Sequence, residues 1–226
     1  MKIAVLGTGM VGRAHASKLA GLGHEVLMGT RNVAESLAKT EKDGMGNSPL
    51  SEWHTANEQV KIVSLAEAAE GGEIVINVLS GAIAVMALEQ LAAEIGEKVV
   101  MDISNPLDFS RGFPPTLTVC NTDSLGEQIQ AALPKAKVVK TLNTVNASLQ
   151  VDPKSLASGD HQIFVSGNDA DAKAEVTRLL KEWYGWESCL DLGEMSTARG
   201  TEMWLPLWLR IMGALNTSQF NLKIVR

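Results

Sequence analysis

The chain has 226 residues, 45% hydrophobic and 20% charged, the balance of a folded globular protein rather than a disordered one. Twenty basic against 26 acidic side chains leave a formal charge of −6, so no basic face is implied and a nucleic-acid partner is not expected. Two cysteines, Cys120 and Cys189, cannot build a disulfide framework or a four-thiolate metal site, and neither a signal peptide nor an apolar run of about 20 residues is visible, so a metal-free, non-membrane protein of the reducing cytoplasm is expected.

Taken in chain order, residues 2–6 are a short apolar run stopped by Gly7, which reads as a buried strand. Residues 10–22 place Val11, Ala14, Leu19 and Leu22 at helical spacing. A second strand is expected at 25–28 and a helix at 32–43. Residues 44–59 look irregular, with one helical turn around 52–57. A third strand is expected at 60–63. Ser64 and Glu67 form a capping-box pattern that opens the next helix. A fourth strand follows at 73–79, a helix at 82–95 and a fifth strand at 98–103. Pro106, Pro114 and Pro115 mark a loop over 104–122, and Asp123 or Ser124 caps a helix reaching Leu133. A sixth strand is expected at 137–142, a seventh at 161–166, a helix at 169–184 and an eighth strand at 187–191. From 194 to 226 the pattern is helical, interrupted near Pro206. Alternating strands and helices of this kind predict one α/β domain over 1–226. It is a doubly wound, Rossmann-type parallel sheet of about eight strands, with residues 194–226 as a helical extension that closes a pocket.

The segment Gly7-Thr8-Gly9-Met10-Val11-Gly12 is G-x-G-x-x-G, set between a predicted strand and a predicted helix. In that context the first glycine allows a tight turn, the second lets backbone approach a pyrophosphate, and the third lets helix pack on strand. The unpaired N–H groups at the helix start then face the phosphate. After the second strand stands Gly29-Thr30-Arg31-Asn32, with no carboxylate for a ribose hydroxyl. A hydroxyl and a guanidinium there favour a 2′-phosphate, and so NADP(H) over NAD(H). The cofactor should run along the carboxyl ends of the strands, past Val78, Leu79 and Ser80, Asn105 and Pro106, and the loop 143–147 with Thr144 and Ala147.

Acid–base chemistry is sparse. The single tyrosine, Tyr184, has Ser188 four residues on, so no Tyr-x-x-x-Lys pair exists. His15, His24, His54 and His161 all fall away from predicted strand carboxyl ends and read as surface or turn residues rather than catalysts. No catalytic side chain and no metal ligand set is therefore assigned. Reducing a carbonyl normally needs a positioned proton donor. Hydride exchange between a nicotinamide and a flavin-like ring does not, because the rings carry the chemistry. Trp204 and Trp208, four residues apart, supply an apolar wall for a second ring if Pro206 leaves the turn helical.

Residues 1–12, Leu22-Gly-His-Glu-Val26, Gly29-Thr-Arg31, Val138-Val-Lys-Thr-Leu-Asn-Thr144 and, in the tail, Asp191-Leu-Gly193, Ser196, Arg199, Glu202, Pro206-Leu207 and Ile211-Met212 carry a resemblance. Over nearly its full length the chain resembles the deazaflavin-coenzyme (F420)-dependent NADP oxidoreductases. The fifth-strand loop and residues 138–144 are also similar to the cytosolic reductase domain of the STEAP metalloreductases, which use NADPH to reduce a flavin. The resemblance implies that Thr30 and Arg31 bind the 2′-phosphate. It implies that the loop near Ala147 meets the nicotinamide carboxamide, and that the C-terminal helices close a deazaflavin pocket. Asn143, Asn146, Ser196, Arg199, Trp204, Pro206 and Leu207 are the expected pocket residues. Glu35 lies near the position where some members carry a further basic residue, and Asn146 stands where some carry proline. The expected function is hydride transfer between NADP(H) and a deazaflavin or flavin acceptor by direct ring-to-ring contact, in a homodimer. The alternative is a non-catalytic NADP(H)-binding sensor or partner-recruiting module.

Overall fold

In the computed structural model, which describes residues 1–44 and 46–226, the opening apolar run is β1 (Lys2–Leu6) and the glycine motif leads into α1 (Met10–Gly21). β2 (Glu25–Thr30) runs beyond its expected end, so Thr30 closes the strand and Arg31 is the first residue past it. Asn32 caps α2 (Val33–Ala38) by accepting the Glu35 N–H, and the chain continues through α3 (Leu50–Thr55) and β3 (Lys61–Ser64). The Ser64/Glu67 capping box is made in both directions at the start of α4 (Leu65–Gly71). After β4 (Ile74–Asn77), the one helix expected at 82–95 is two, α5 (Gly81–Glu89) and α6 (Ala92–Ile95), because Leu91 leaves helical backbone and buries its side chain. β5 (Val99–Asp102) precedes the proline-marked loop, which carries a small antiparallel ladder of β6 (Leu107–Asp108) and β7 (Thr116–Leu117). Ser124 is the residue that caps α7 (Leu125–Ala132). Then come β8 (Lys137–Thr141), a short α8 (Ala147–Val151) that the sequence reading missed, β9 (Ile163–Ser166), α9 (Ala170–Leu179), β10 (Cys189–Gly193) and α10 (Ala198–Leu215).

The large sheet has eight strands in the order β3-β2-β1-β4-β5-β8-β9-β10. Its first six places follow the doubly wound pattern, with the change of winding direction between β1 and β4, where such sheets open a crevice. Both faces are covered, which is why the central strands read as unbroken apolar runs. Alternation along β1 divides the core into two. Ile3 and Val5 join Leu19, Ile76, Val139 and Trp186 on one face, while Ala4 and Leu6 join Ala68, Leu88, Val100 and Ile129 on the other.

Two expectations need correction. The sheet is mostly but not wholly parallel, since β8 and β9 pair antiparallel with Lys140 opposite Ser166. Their connection holds α8 and two 3₁₀ turns and returns at the same end of the sheet instead of crossing a face. The C-terminal helix is also unbroken by Pro206 but stops at Leu215, where Asn216 turns left-handed. Pro206 cannot bond to the carbonyl of Glu202; the helix stays fixed because Glu202 is tied to α7 and Trp208 is buried. Beyond it the chain forms no further helix or strand and lies against the start of β9, with Gln162 N–H donating to Leu222 O at 3.0 Å.

Candidate functional site

The turn from β1 into α1 is built by its glycines. Gly7 sits at φ +126°, and a Cβ at Gly12 would stand 2.2 Å from the Gly7 carbonyl, so α1 docks on the loop only without a side chain there. At Gly9 a Cβ would meet nothing within 4 Å; the space it leaves faces outward. Arg13 braces the loop. Its Nε donates to Thr8 O at 2.8 Å, its Nη1 to Ser48 O at 2.6 Å, and its guanidinium lies 6.0 Å from the Trp53 ring centroid. Burial lowers the Arg13 pKa from its ordinary value, with Asp43 opposing.

A cleft of about 550 Å³ opens beside this turn at the crevice of the sheet. It gathers Gly7, Thr8, Gly9, Thr30, Arg31, Asn32, Val78, Leu79 and Ser80, nine of the expected cofactor residues, onto one surface. Met10, Val11 and Gly12 form the first turn of α1 behind it. The cleft also holds Ser36 and Lys39, which the sequence reading missed. Their signal was present, because 32, 36 and 39 fall on one face of the expected helix. Ser36 Oγ lies 2.7 Å from Thr30 Oγ1, and Lys39 stands 3.6 Å from Glu35 in an exposed ion pair. Arg31 is exposed and has no hydrogen bond or ion pair to any described residue. Two cations and two hydroxyls beside an open glycine turn fit a dinucleotide carrying an extra phosphate.

The carboxyl ends of β4, β5 and β8 are fastened by a buried charge cluster. Lys140 Nζ donates to Asp102 Oδ2 at 2.8 Å, to Glu202 Oε1 at 2.8 Å and to Ser104 O at 2.7 Å. Asp102 Oδ1 accepts from Asn77 Nδ2 and Ser104 Oγ. Glu202, reaching in from α10, accepts the N–H groups of Leu125 and Gly126 at the start of α7. Burial opposes the charge on Lys140, but the two carboxylates outweigh it and raise its pKa above the ordinary value. Just above this cluster Asn105 and Asn143 bond reciprocally, Asn105 Nδ2 to Asn143 O at 2.9 Å and Asn143 Nδ2 to Asn105 Oδ1 at 3.1 Å, with Pro106 buried beside them.

Thr144 leads from these strand ends into a second cavity, an apolar pocket of about 320 Å³ walled also by Phe164, Leu192, Met203, Trp204 and Leu207. The Trp204 indole N–H donates to Thr144 O at 3.2 Å. Thr144 Oγ1 is buried and has no hydrogen-bond partner among the described residues. Trp208 turns instead against Phe220, ring centroids 5.2 Å apart. Of the remaining expected pocket residues, Asn146 caps α8 and donates to Ser218 O, and Ala147 is buried at the first position of that helix. Arg199 is held by Glu127 through two bonds of 2.8 and 2.5 Å, Ser196 is exposed on a 3₁₀ turn, and Pro206 is exposed on α10; these three line neither cavity.

Two histidines depart from the expectation of surface or turn positions. His15 is fully buried, with Tyr184 Oη 2.7 Å from Nδ1 and Gln150 Oε1 3.0 Å from Nε2. Burial lowers its pKa to about 4, so it is neutral at physiological pH. His161 is buried against Pro153 O and Asn221. Both replace water with internal partners, which apolar periodicity does not report.

Residues 2–106 match the family described as NADP oxidoreductase, coenzyme F420-dependent. An F420-dependent NADP reductase of Methanocaldococcus jannaschii is 30% identical over 213 residues, covering 92% of this chain and 90% of that protein. The metalloreductase STEAP3 of Rattus norvegicus is 28% identical over 209 residues, 92% of this chain and 37% of that longer protein. Among solved structures, one from Arthrobacter sp. FB24, described as a candidate F420-dependent NADP reductase, superposes with a TM-score of 0.95 at 55% identity over 100% of both chains.

Proposed function

Because the chain belongs to the coenzyme-F420-dependent NADP oxidoreductase family, we propose that it passes a hydride directly between the nicotinamide of NADP(H) and the ring of a deazaflavin or flavin acceptor. The observation that carries this reading is the apolar pocket walled by Met203, Trp204 and Leu207, which Thr144 joins to the polar strand ends. In the proposal the adenosine 2′-phosphate lies against Thr30, Arg31, Ser36 and Lys39, and the pyrophosphate lies on the turn at Gly9. The nicotinamide half extends past Ser80 toward Asn143 and Thr144. When bound, the dinucleotide supplies or accepts the hydride. The chain's part is to hold two rings face to face and keep water from between them. Trp204, Met203 and Leu207 give the second ring an apolar wall. His15, Tyr184 and His161 are spent on internal hydrogen bonds, which supports a site that moves no proton at the reacting carbon.

The test is steady-state NADPH oxidation by the purified chain with deazaflavin, FMN, FAD, ferric chelates and quinones as acceptors. Turnover is expected with a ring acceptor, and absence of turnover with all five overturns the proposal. The reading includes a soluble cytoplasmic homodimer that uses the C-terminal helix, where Leu215 is exposed, checked by light scattering on the eluting protein. Among the described residues no helix is long and apolar enough to cross a membrane.

A further inference from the structure

We propose that Gln150 is the positioning residue of the loop that follows β8, and that it is set by His15 on α1, so that the helix behind the glycine turn and the loop on the nicotinamide side are held by one directed chain of hydrogen bonds. The proposal rests on the reading of that loop as the nicotinamide side.

The direction of the chain follows from donor and acceptor counts. Gln150 Nε2 reaches two carbonyls, Leu142 O at 3.0 Å and Val145 O at 3.1 Å, and an amide nitrogen can only donate. Gln150 Oε1 must then accept, and its partner is His15 Nε2 at 3.0 Å, which therefore carries the proton. His15 Nδ1 is left bare and takes the hydroxyl proton of Tyr184 at 2.7 Å. The sequence runs Tyr184 to His15 to Gln150 to the loop. All of its members are buried. The Gln150 carbonyl is pinned in turn by the Trp186 indole N–H at 2.9 Å.

The loop needs such a clamp. Leu142 is 1% exposed yet sits at φ +58°, the left-handed region that a branched side chain avoids. This turn is what aims Asn143 at Asn105 and places Thr144 under Trp204. Gln150 closes it from the inside, bonding the carbonyl at its first residue and the one three residues on. A side chain with the same volume but no paired donors leaves both carbonyls buried and unmet, and the turn loses its reason to hold.

The experiment compares two nucleotides by titration calorimetry, NADP+ and 2′-phosphoadenosine 5′-diphosphate, which lacks the nicotinamide half. Gln150→Met and Gln150→Glu are expected to weaken NADP+ at least tenfold and to leave the fragment within about twofold of wild type. A loss confined to general stability moves both ligands or neither, and that result, or an unchanged NADP+ affinity, overturns the proposal. Wild type that binds neither nucleotide counts against the function proposed above and not against Gln150. Hydrogen exchange of the unliganded wild-type protein then decides, and decides also if the variants do not fold. Amides of 142–146 are expected to exchange far more slowly than those of the exposed 109–112 segment; equal rates overturn the proposal.

Discussion

In the proposed reading Arg31 and Lys39 are the residues on which nucleotide choice turns. Both line the cleft at the end of β2, and neither is needed by the fold, since Arg31 has no described partner and Lys39 pairs with Glu35 at the surface. Charge-assisted bonds to phosphate are each worth about 1.5–3 kcal/mol. Arg31→Ala is therefore expected to weaken NADPH by about 10- to 100-fold, and Lys39→Ala by somewhat less, with NADH unchanged within about twofold; equal losses for both nucleotides remove the 2′-phosphate assignment. His15 carries a different prediction. Its folded pKa is lowered to about 4, below the free imidazole value near 6.5, because burial disfavours the charge. An unfolded chain binds that proton and the native one does not, so His15 costs stability as pH falls from about 6.5 toward about 4 and costs none above that window. Between about pH 7.5 and about pH 5.5 the loss is ~1 kcal/mol. Urea midpoints at the two pH values check it, and His15→Gln is expected to flatten that part of the profile.

At the scale of elements, the Lys140 cluster decides how α7 and α10 meet the sheet. Removing the ammonium leaves Asp102 and Glu202 buried without their cation. Lys140→Met is expected to cost about 3–5 kcal/mol in chemical denaturation, and to loosen α10 first, because Glu202 is its tether to the start of α7. This cluster also marks where sequence reading stops. Strands and helices whose faces alternate or repeat were legible, from β1 to the capping box at Ser64. So was the glycine turn, whose chemistry is local in sequence, and so was Arg31, one residue past a strand. Lys140, Asp102 and Glu202 lie far apart along the chain, and nothing in their neighbours says that they meet. The same holds for His15 and Gln150. The helix α8 escaped notice because five residues are too few for a period to appear. The reversal at β9 escaped notice because its cause is a connection, not a strand.

For the whole molecule, ligand binding should register as stability. A nucleotide that binds only the folded chain adds about 2.7 kcal/mol at a hundred times its dissociation constant. For a domain of this size that is a rise in Tm of roughly 5–10 °C. NADP+ is expected to produce that rise in a thermal melt and NAD+ at the same concentration a much smaller one; equal shifts contradict the cofactor preference. The antiparallel junction of β8 and β9 has a further consequence. From β2 to β8 the strand ends point one way across four inter-strand steps, and at about 4.8 Å a step that edge is roughly 19 Å long. Past β8 the polarity flips and the row of carboxyl ends is over. In the proposed reading the sheet works as a length gauge. In the proposed reaction a nucleotide laid from Thr30 to Thr144 ends where this row of carboxyl ends stops, and the second ring lies just past it, against Phe164 of β9 and Leu192 of β10. Trp204, bonded to the Thr144 carbonyl, stands at the border between the two.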